Sequence, residues 1–474
     1  MILRIARKEF VDAWRDGRFR LGAALVLVLL VVSGLLARQQ VERARGERAS
    51  AAELERKNWL EQGDKNSHSA GHYGVNVFKD TSPLAVFDRG IDPFVGTAVF
   101  LEAHRQNQVA FLPAQDATSM RRFGELSAAI ALQMLVPLLI VLLAFGSVAG
   151  ERESGTLRQI LSLGVRPRQL VFGKAVGLAA TLAVLLLPAA GVLAYLLAQS
   201  GGASASGLWT RAALLAGCYA AYLAVFIAGS VAVSASTRSA RAALTILLSV
   251  WALNCIVAPR LASDLVHQNL PTPKLAEFEM EMQKDVQEGL DGHDSRNKRL
   301  EEFTRETLAK HGKTRAEELP FNFQGLVMLE SEKHSAEVFD HHFGMLWDRI
   351  QEQDRAVAWS GFAAPMLALR AASMAFAGTD FAHHRHFARA AEEHRRDFVR
   401  VLNEDLMNNA RPGDHRYTAG RALWEQLPVF RLEPLSPSDA WREARPGVLV
   451  LAAWLWASLV ALFFSANRLR VVNA

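Results

Sequence analysis

Long apolar segments dominate the pattern of hydrophobic and polar positions along the chain. Six of them contain no Asp, Glu, Lys, Arg or His. A transmembrane helix needs roughly 20 mostly apolar residues, because lipid offers the backbone no hydrogen-bond partner and a helix satisfies the backbone within one segment. The pattern therefore predicts an all-α polytopic membrane protein with six transmembrane helices. The predicted spans are residues 20–37, 126–150, 173–198, 209–236, 241–259 and 446–466.

Charged residues are confined to the rest of the sequence. Of the 474 residues, 50% are hydrophobic and 21% are charged, and the six uncharged segments hold 144 residues. The other 330 residues carry all 101 charges, about 31%, which is typical of solvated protein. A large aqueous part therefore accompanies the spans. Cys218 and Cys255 both lie in apolar segments, so the aqueous part cannot depend on disulfides.

Basic residues in short loops predict the orientation of the spans. Lys and Arg resist translocation, whereas long domains cross a membrane regardless of their charge. The first 19 residues, the loop 151–172, the loop between the fourth and fifth spans and the tail 467–474 all carry Arg or Lys. Both termini are therefore predicted to be cytoplasmic. This arrangement explains the net charge of +5 without a nucleic-acid partner. Residues 38–125 and 260–445 then form one domain on the far side.

The N-terminal segment has two interpretations. Its basic residues followed by an apolar stretch resemble the start of a signal peptide. However, Leu3, Ala6, Phe10 and Ala13 recur at helical spacing, with basic residues on another face, which is typical of an amphipathic helix on a membrane surface. We favour an amphipathic helix over residues 1–19.

The extracytoplasmic domain is predicted to be mainly helical. Apolar residues recur at helical spacing over 275–290 and 336–357. Thr379 and Asp380 form a capping pair for a third helix that ends near Met407. Loops or short strands are expected at 71–77 and 83–99.

Residues 356–379 offer a seventh span, because Arg370 is their only charge. An Arg at the centre of a span costs roughly 2.5 kcal/mol or more on insertion scales. An odd number of spans would also place the basic tail outside the cytoplasm. We therefore prefer a helix in the core of the extracytoplasmic domain or at the membrane interface.

The loop after the second span is the most informative stretch. Thr156 and Gln159 have the spacing of a capping box, and Gly164 is placed to end a helix. We predict a two-turn helix that docks onto a partner, since a short rigid helix transmits a push that a floppy loop would absorb. A simple connector between spans is the alternative. The apolar face of this helix is formed by Leu157, Ile160 and Leu161.

Three stretches resemble a known family, and the resemblance covers essentially the whole chain. The loop resembles the coupling loop of type-2 ABC exporter permeases in Glu151, Glu153, Gly155, Thr156, Leu157, Val165-Arg166-Pro167 and Gly173-Lys174. Lys8-Glu9-Phe10 and Trp14-Arg15-Asp16-Gly17-Arg18-Phe19 resemble the elbow helix of the branch known as DUF3526. Residues 363–369 and 377–380, with the helix that follows, resemble the same branch. The 186-residue segment before the last span departs from ordinary members.

The resemblance implies a permease subunit of an ABC exporter in the bacterial inner membrane, with its large domain in the periplasm. Two identical or related permeases would work above a pair of ATPase subunits. The chain contains no GxxxxGK[ST] motif, so ATP and Mg are expected on the partner ATPase and no catalytic site is predicted here. A membrane-anchored scaffold or sensor that binds a periplasmic partner is the alternative. The elbow residues implied in coupling are Lys8, Glu9, Trp14, Arg15 and Arg18.

Histidines suggest a third hypothesis, a periplasmic metal enzyme. All 14 lie in the two extracytoplasmic segments. Two groups follow an acidic residue on a predicted helix, as metal ligands do. The sequence has no HExxH motif or Cys/His framework, so a solvated helix surface is the preferred interpretation. The candidate ligands are His341 and His342 after Asp340, and His383, His384 and His386 after Asp380.

Overall fold

The structure, a computed structural model, describes residues 1–113, 127–199, 207–412, 414 and 416–469. Helices form most of this part of the chain, and two short strands, β1 (Val75–Phe78) and β2 (Ala98–Leu101), pair antiparallel. In chain order the helices are α1 (Ile2–Arg15), α2 (Gly17–Leu60), α3 (Ser67–Tyr73), α4 (Ala128–Glu153), α5 (Thr156–Ser162), α6 (Pro167–Ala198), α7 (Leu208–Ser236), α8 (Ala240–Asn269), α9 (Leu275–Glu288), α10 (Arg296–Lys310), α11 (Phe323–Trp359), α12 (Pro365–Ala377), α13 (Phe381–Asn409), α14 (Arg421–Trp424) and α15 (Pro437–Arg468).

Six of these helices are long and apolar enough to cross a membrane: α2, α4, α6, α7, α8 and α15. They coincide with the six predicted spans, so the all-α polytopic architecture is confirmed. Residues 200–206, between the third and fourth predicted spans, and residues 470–474 of the tail lie outside the described residues. Helices α2, α8 and α15 run well past their apolar segments, because a charged residue does not end a helix. An Arg38–Glu42 ion pair of 2.6 Å, one turn apart, supports α2 where it leaves the first apolar segment.

Helices α4 and α8 each contain one π-helical turn, at Ala131–Leu135 and Leu253–Val257. Pro137 and Pro259 follow these turns within two residues. Proline has no N–H to donate to the preceding turn, so the wider turn accommodates it without a buried unpaired carbonyl. In the first of these turns the Gln133 carbonyl accepts from the Tyr222 hydroxyl over 2.9 Å, and the Met134 carbonyl accepts from the Trp251 side chain over 2.9 Å.

Helix α12, in the stretch 356–379, is too short to be a seventh span. It has 13 residues, so it is about 20 Å long, whereas a bilayer core is about 30 Å thick. Leu369 and Phe376 are completely buried and belong to the same apolar core as the spans. Helix α15 approaches it closely, since a Cβ on Gly447 would lie 2.4 Å from the carbonyl oxygen of Ala368. The preference for a helix that does not cross the bilayer fits this placement.

A second body, which we call the distal domain, consists of the described residues of 61–113 and 270–436, apart from α12, with the end of α2. Its core joins distant parts of the chain: the Trp59 ring lies 5.0 Å from Phe398 and 5.5 Å from Trp424, and Trp59 donates to the Trp424 carbonyl over 3.1 Å. The predicted helices correspond to α9, α11 and α13. Of the two stretches expected to be loops or short strands, 71–77 holds the end of α3 and most of β1, and 83–99 reaches only the first two residues of β2. Asp380 caps α13 as predicted, accepting from the His383 N–H over 3.1 Å.

Candidate functional site

The amphipathic helix α1 packs tightly across the start of α6. Two glycines one turn apart, Gly173 and Gly177, allow this approach. A Cβ on Gly173 would lie 2.8 Å from the Ile5 side chain, and one on Gly177 would lie 2.7 Å from the Ala6 carbonyl oxygen. Helices α1 and α6 therefore meet nearly backbone to backbone, which places the side chains of α1 against the start of the third span.

Lys174 lies at the centre of this contact and binds two carboxylates. Its Nζ is 2.6 Å from Glu9 Oε1 and 2.8 Å from Glu151 Oε1. The lysine side chain is 2% exposed and the two carboxylates are 14% and 16% exposed. Glu9 belongs to α1, Glu151 to the last turn of α4, and Lys174 lies near the start of α6. One buried ammonium group thus ties together three elements that are far apart in sequence.

The two residues after Glu151 contact the ends of two other spans. Arg152 donates to the carbonyls of Ala235, over 2.9 Å, and of Thr237, at the C-terminus of α7. Glu153 accepts from the Ala240 N–H, over 3.1 Å, at the N-terminus of α8. Each charge has the sign that the helix dipole favours, since carbonyls are unsatisfied at a C-terminus and N–H groups at an N-terminus. These three successive residues thus link four spans.

Helix α5 lies where the sequence placed it, but its apolar face points inward. Leu157 is fully buried and Leu161 is 7% exposed, both within the core of the spans, and Ile160 packs partly buried against that core. Leu157 and Leu161 are covered by the chain's own helices, so for these two residues the predicted docking onto a partner is wrong, whereas for Ile160 it stays a prediction. An amphipathic pattern shows which face is apolar, but not whether the covering surface is in the same chain.

The ends of α5 also differ in detail from the prediction. Its N-cap is Gly155, in the left-handed region with φ of 74°, and no side chain caps the helix. The predicted capping box of Thr156 is thus wrong; its hydroxyl donates instead to the Glu151 carbonyl over 3.2 Å. Gly164, with φ of 86°, follows the helix end as expected. This geometry turns Leu163 outward, and 84% of its surface is exposed.

At this end of the bundle an exposed leucine lies among exposed polar and basic side chains. The sequence patterns did not predict this surface. A leucine placed just before a helix-ending glycine was the available signal. We call this surface the α5 tip: Arg158, Gln159, Ser162 and Leu163.

Of the other residues predicted for the elbow helix, one packs inside the protein and two are exposed to solvent. Trp14 packs edge-on against Phe19, with ring centroids 5.2 Å apart, and so holds α1 at an angle to α2. Lys8 forms an exposed ion pair with Asp12, 3.1 Å long, and Arg15 is exposed. The prediction for Arg18 concerns a side chain outside the described part.

A buried polar chain runs between the π-helical turns and the distal domain. The Gln133 amide donates to the Tyr219 hydroxyl over 2.8 Å, and Tyr219 lies 3.1 Å from the Ser373 hydroxyl of α12. Ser373 in turn donates to Asp88 of the distal domain. Burial raises the pKa of Asp88, although Ser373 and the Gly90 N–H both bond to the carboxylate. No sequence pattern predicted this chain of hydrogen bonds, because Asp88 lies far from the spans along the sequence.

The five histidines predicted as metal candidates form other contacts. His383 Nδ1 lies 2.5 Å from Asp380 Oδ1, and His342 Nε2 lies 2.8 Å from Asp285 Oδ2. His386 Nε2 contacts the Glu433 carbonyl over 2.6 Å. Burial, with nearby Lys79, lowers the pKa of His384 to about 4, and His341 is exposed. Among the described residues, none of the five belongs to a group of three candidate ligands whose donor atoms converge.

Asp340, the acid expected beside His341 and His342, pairs instead with Arg396, over 2.7 Å. The predicted metal groups are therefore separate acid–imidazole and acid–guanidinium pairs. The Asp340–Arg396 and His342–Asp285 contacts brace α11 against α13 and against α9.

Two family models match the sequence. One, described as ABC-2 family transporter protein, matches residues 3–295, which is more than half of the chain. The other, described as a domain of unknown function, DUF3526, matches residues 279–433. The first covers α1 and five of the spans, and the second covers α12 and most of the distal domain that follows α8. A comparison with curated proteins gives no match.

Proposed function

Because the chain belongs to the ABC-2 transporter family, we propose that it is the permease subunit of an ABC exporter and couples ATP hydrolysis on a separate subunit to translocation of a substrate. The observation that carries the proposal is the contact of Lys174 with Glu9 and Glu151. Elbow helix, coupling loop and third span move as one body when they share a buried ion pair. A displacement of the α5 tip by the ATPase would then be transmitted to the spans.

The same end of the bundle is proposed to face the cytoplasm, where ATP is available. Arg4, Arg7 and Arg15 of α1 and Arg158 of the α5 tip lie there, in agreement with the retention of basic loops on the cytoplasmic side. The distal domain would then be periplasmic in the bacterial inner membrane. Two copies of the chain, or this chain and a related permease, would stand over two ATPase subunits.

Helix α2 supports a coupling that reaches the distal domain. It runs without a break for 44 residues, about 66 Å. Its first turns pack on the elbow through Phe19 and Trp14, and its last turn lies in the core of the distal domain through Trp59. A rigid helix that is anchored at both ends carries a tilt at the membrane surface directly into that domain. ATP-driven closure would thereby rearrange both the spans and the distal domain.

Isolation of the complex tests this function. The chain is purified from its native membrane in mild detergent, and its partners are identified by mass spectrometry. We expect an ATPase with a Walker motif, in a one-to-one ratio to permease chains, and vanadate-sensitive ATP hydrolysis. Leu163→Asp on the α5 tip should lose the ATPase, whereas Leu275→Asp on α9 should keep it. A cross-linked preparation without any such ATPase would refute the permease role and favour a membrane-anchored scaffold or sensor.

A further inference from the structure

Three imidazoles that no sequence pattern brought together converge in the distal domain. His68 and His72 are one turn apart on α3, and His104 follows β2. The Nε2 atom of His68 lies 3.3 Å from Nε2 of His72 and 3.3 Å from Nε2 of His104. The ligand atoms of all three lie within 4.8 Å of one another.

The backbone fixes this convergence. The Ala103 N–H donates to the Gly71 carbonyl over 3.0 Å, which holds the segment after β2 against α3. Gly71 allows the approach, since a Cβ there would lie 3.4 Å from Ala103 Cβ. His104 has a φ of 64°, in the left-handed region that few residues other than glycine adopt. The backbone thus holds the segment that carries His104 against α3.

Buried partners fix the orientation of two of the rings. Glu332 Oε1 lies 2.6 Å from Nδ1 of His104 and accepts a hydrogen bond from it. The other carboxylate oxygen of Glu332 binds Arg395 over 3.0 Å. The Asn403 side-chain oxygen lies 2.9 Å from Nδ1 of His68. Arg395 and Asn403 are 1% and 0% exposed. With Nδ1–H donated to these oxygens, the Nε2 atoms of His68 and His104 present lone pairs to each other.

Two lone pairs 3.3 Å apart repel each other unless a proton or a metal cation lies between them. Zn–N bonds of about 2.05 Å at tetrahedral angles place neighbouring ligand nitrogens about 3.3 Å apart, the separation found here. A carboxylate or carbonyl oxygen on the far nitrogen of a ligating imidazole is the usual support of such sites. Imidazole ligands select metals of the zinc, copper and nickel type over calcium or magnesium.

We propose that His68, His72 and His104 bind a divalent transition-metal ion of the Zn²⁺ class through their Nε2 atoms, with one coordination position open. His72 and His104 line a cavity of about 1540 Å³ between α3, α9, α10 and α11. Water or a ligand in this cavity can reach the open position. The ion ties α3 to the segment after β2 and, through Glu332 and Asn403, to α11 and α13. This site lies apart from the α5 tip and does not depend on the permease role.

Metal uptake by the full chain tests the proposal. The protein carries a tag without histidine, is stripped with a chelator in detergent, and is loaded with ZnCl₂ before desalting and elemental analysis. We expect one retained Zn²⁺ per chain that the double variant His72→Ala with His104→Ala loses. The matched control is His341→Ala, which removes an exposed histidine on α11. Equal Zn²⁺ uptake by the parent and the double variant would overturn the proposal.

Cobalt spectroscopy tests the geometry. With CoCl₂ the stripped chain should show the intense visible bands of a four-coordinate ion, and Glu332→Gln should weaken Co²⁺ binding by about 10- to 100-fold without changing its stoichiometry. Thermal unfolding of the metal-free variants shows whether they fold. If the double variant does not fold, the single variant His72→Ala, at an exposed position, takes its place in the metal-binding experiment. A weak spectrum like that of hydrated Co²⁺ would contradict the three-imidazole site.

Discussion

Lys174 Nζ lies 2.6 Å from Glu9 Oε1, so the third span and the elbow helix share a buried ion pair. Removing the ammonium group would leave Glu9 and Glu151 close together with no cation between them. Breaking a buried pair in this way typically costs about 3–5 kcal/mol. We expect Lys174→Met to lower the thermal unfolding temperature strongly and to uncouple ATP hydrolysis from transport.

A compensated variant separates the charge effect from the loss of the side chain. Glu9→Gln and Glu151→Gln, combined with Lys174→Met, remove all three charges at once, and most of the lost stability should return. A triple variant no more stable than Lys174→Met alone would show that the pairing does not hold the elbow. Differential scanning fluorimetry in detergent gives the comparison.

The close packing of α1 on α6 predicts opposite results at two glycines of the same helix. A Cβ on Gly177 would lie 2.6 Å from Glu9 Cβ and 2.7 Å from the Ala6 carbonyl, whereas one on Gly191 has open space. Gly177→Ala should destabilise the protein by about 1–3 kcal/mol through overpacking. Gly191→Ala should be neutral or slightly stabilising, because alanine favours the helix. Equal unfolding temperatures for the two variants would argue against the tight contact.

The sequence predicted features that depend on local patterns, but not those that depend on contacts between distant segments. The six spans and the Asp380 cap depend on local patterns of apolar and capping residues, so they were predicted. The burial of Leu157 and the convergence of His104 with α3 depend on which distant segments pack together. No period or spacing encodes that, because 36 residues separate His68 from His104. The His68–His72 spacing of one turn was a usable signal for two of the three ligands.

Asp88 predicts a pH dependence of stability. Burial raises its pKa in the folded protein above the value in the unfolded chain, so the folded state binds more protons between these two values. The contribution of Asp88 to the free energy of unfolding is therefore fully present below the pKa that Asp88 has in the unfolded chain, and it is lost as the pH rises through the pKa of Asp88 in the folded protein. Asp88→Asn should remove this loss, since an amide can still bond to Ser373 and Gly90.

The measurement is the unfolding temperature between pH 4.5 and 7.5. The gain of Asp88→Asn over the parent should grow with pH, whereas the exposed Asp80→Asn should parallel the parent. Parallel curves for the parent and Asp88→Asn would show that the buried carboxylate does not titrate in this range.

The orientation of the chain is testable with single cysteines. Cys218 and Cys255 are buried, so they should not react with an impermeant maleimide. Ser162 on the α5 tip and Thr314 in the distal domain are both exposed. In inside-out vesicles Ser162→Cys should label and Thr314→Cys should not, because basic loops stay cytoplasmic. In intact spheroplasts the result should be reversed. Labelling of Thr314→Cys from the cytoplasmic face would overturn the proposed orientation.

The two leucines at either end of α5 distinguish packing from docking. Leu157 is fully buried and Leu163 is 84% exposed. Leu157→Ala should cost about 2–5 kcal/mol of stability, because it leaves a cavity in the core of the spans. Leu163→Ala should change stability by less than about 0.5 kcal/mol. If Leu163 enters a pocket on the ATPase, its loss removes about 1.5–3 kcal/mol of binding.

At 1.4 kcal/mol per tenfold change, Leu163→Ala should weaken the affinity for the ATPase by about 10- to 100-fold. Titration of the purified ATPase onto the chain in nanodiscs measures this, with Leu275→Ala, an exposed leucine on α9, as the control. Unfolding temperatures of the same samples separate the two effects, since Leu157→Ala should lower the temperature and Leu163→Ala should not. Unchanged ATPase affinity of Leu163→Ala would remove the α5 tip from the docking surface and leave α1 as the remaining contact.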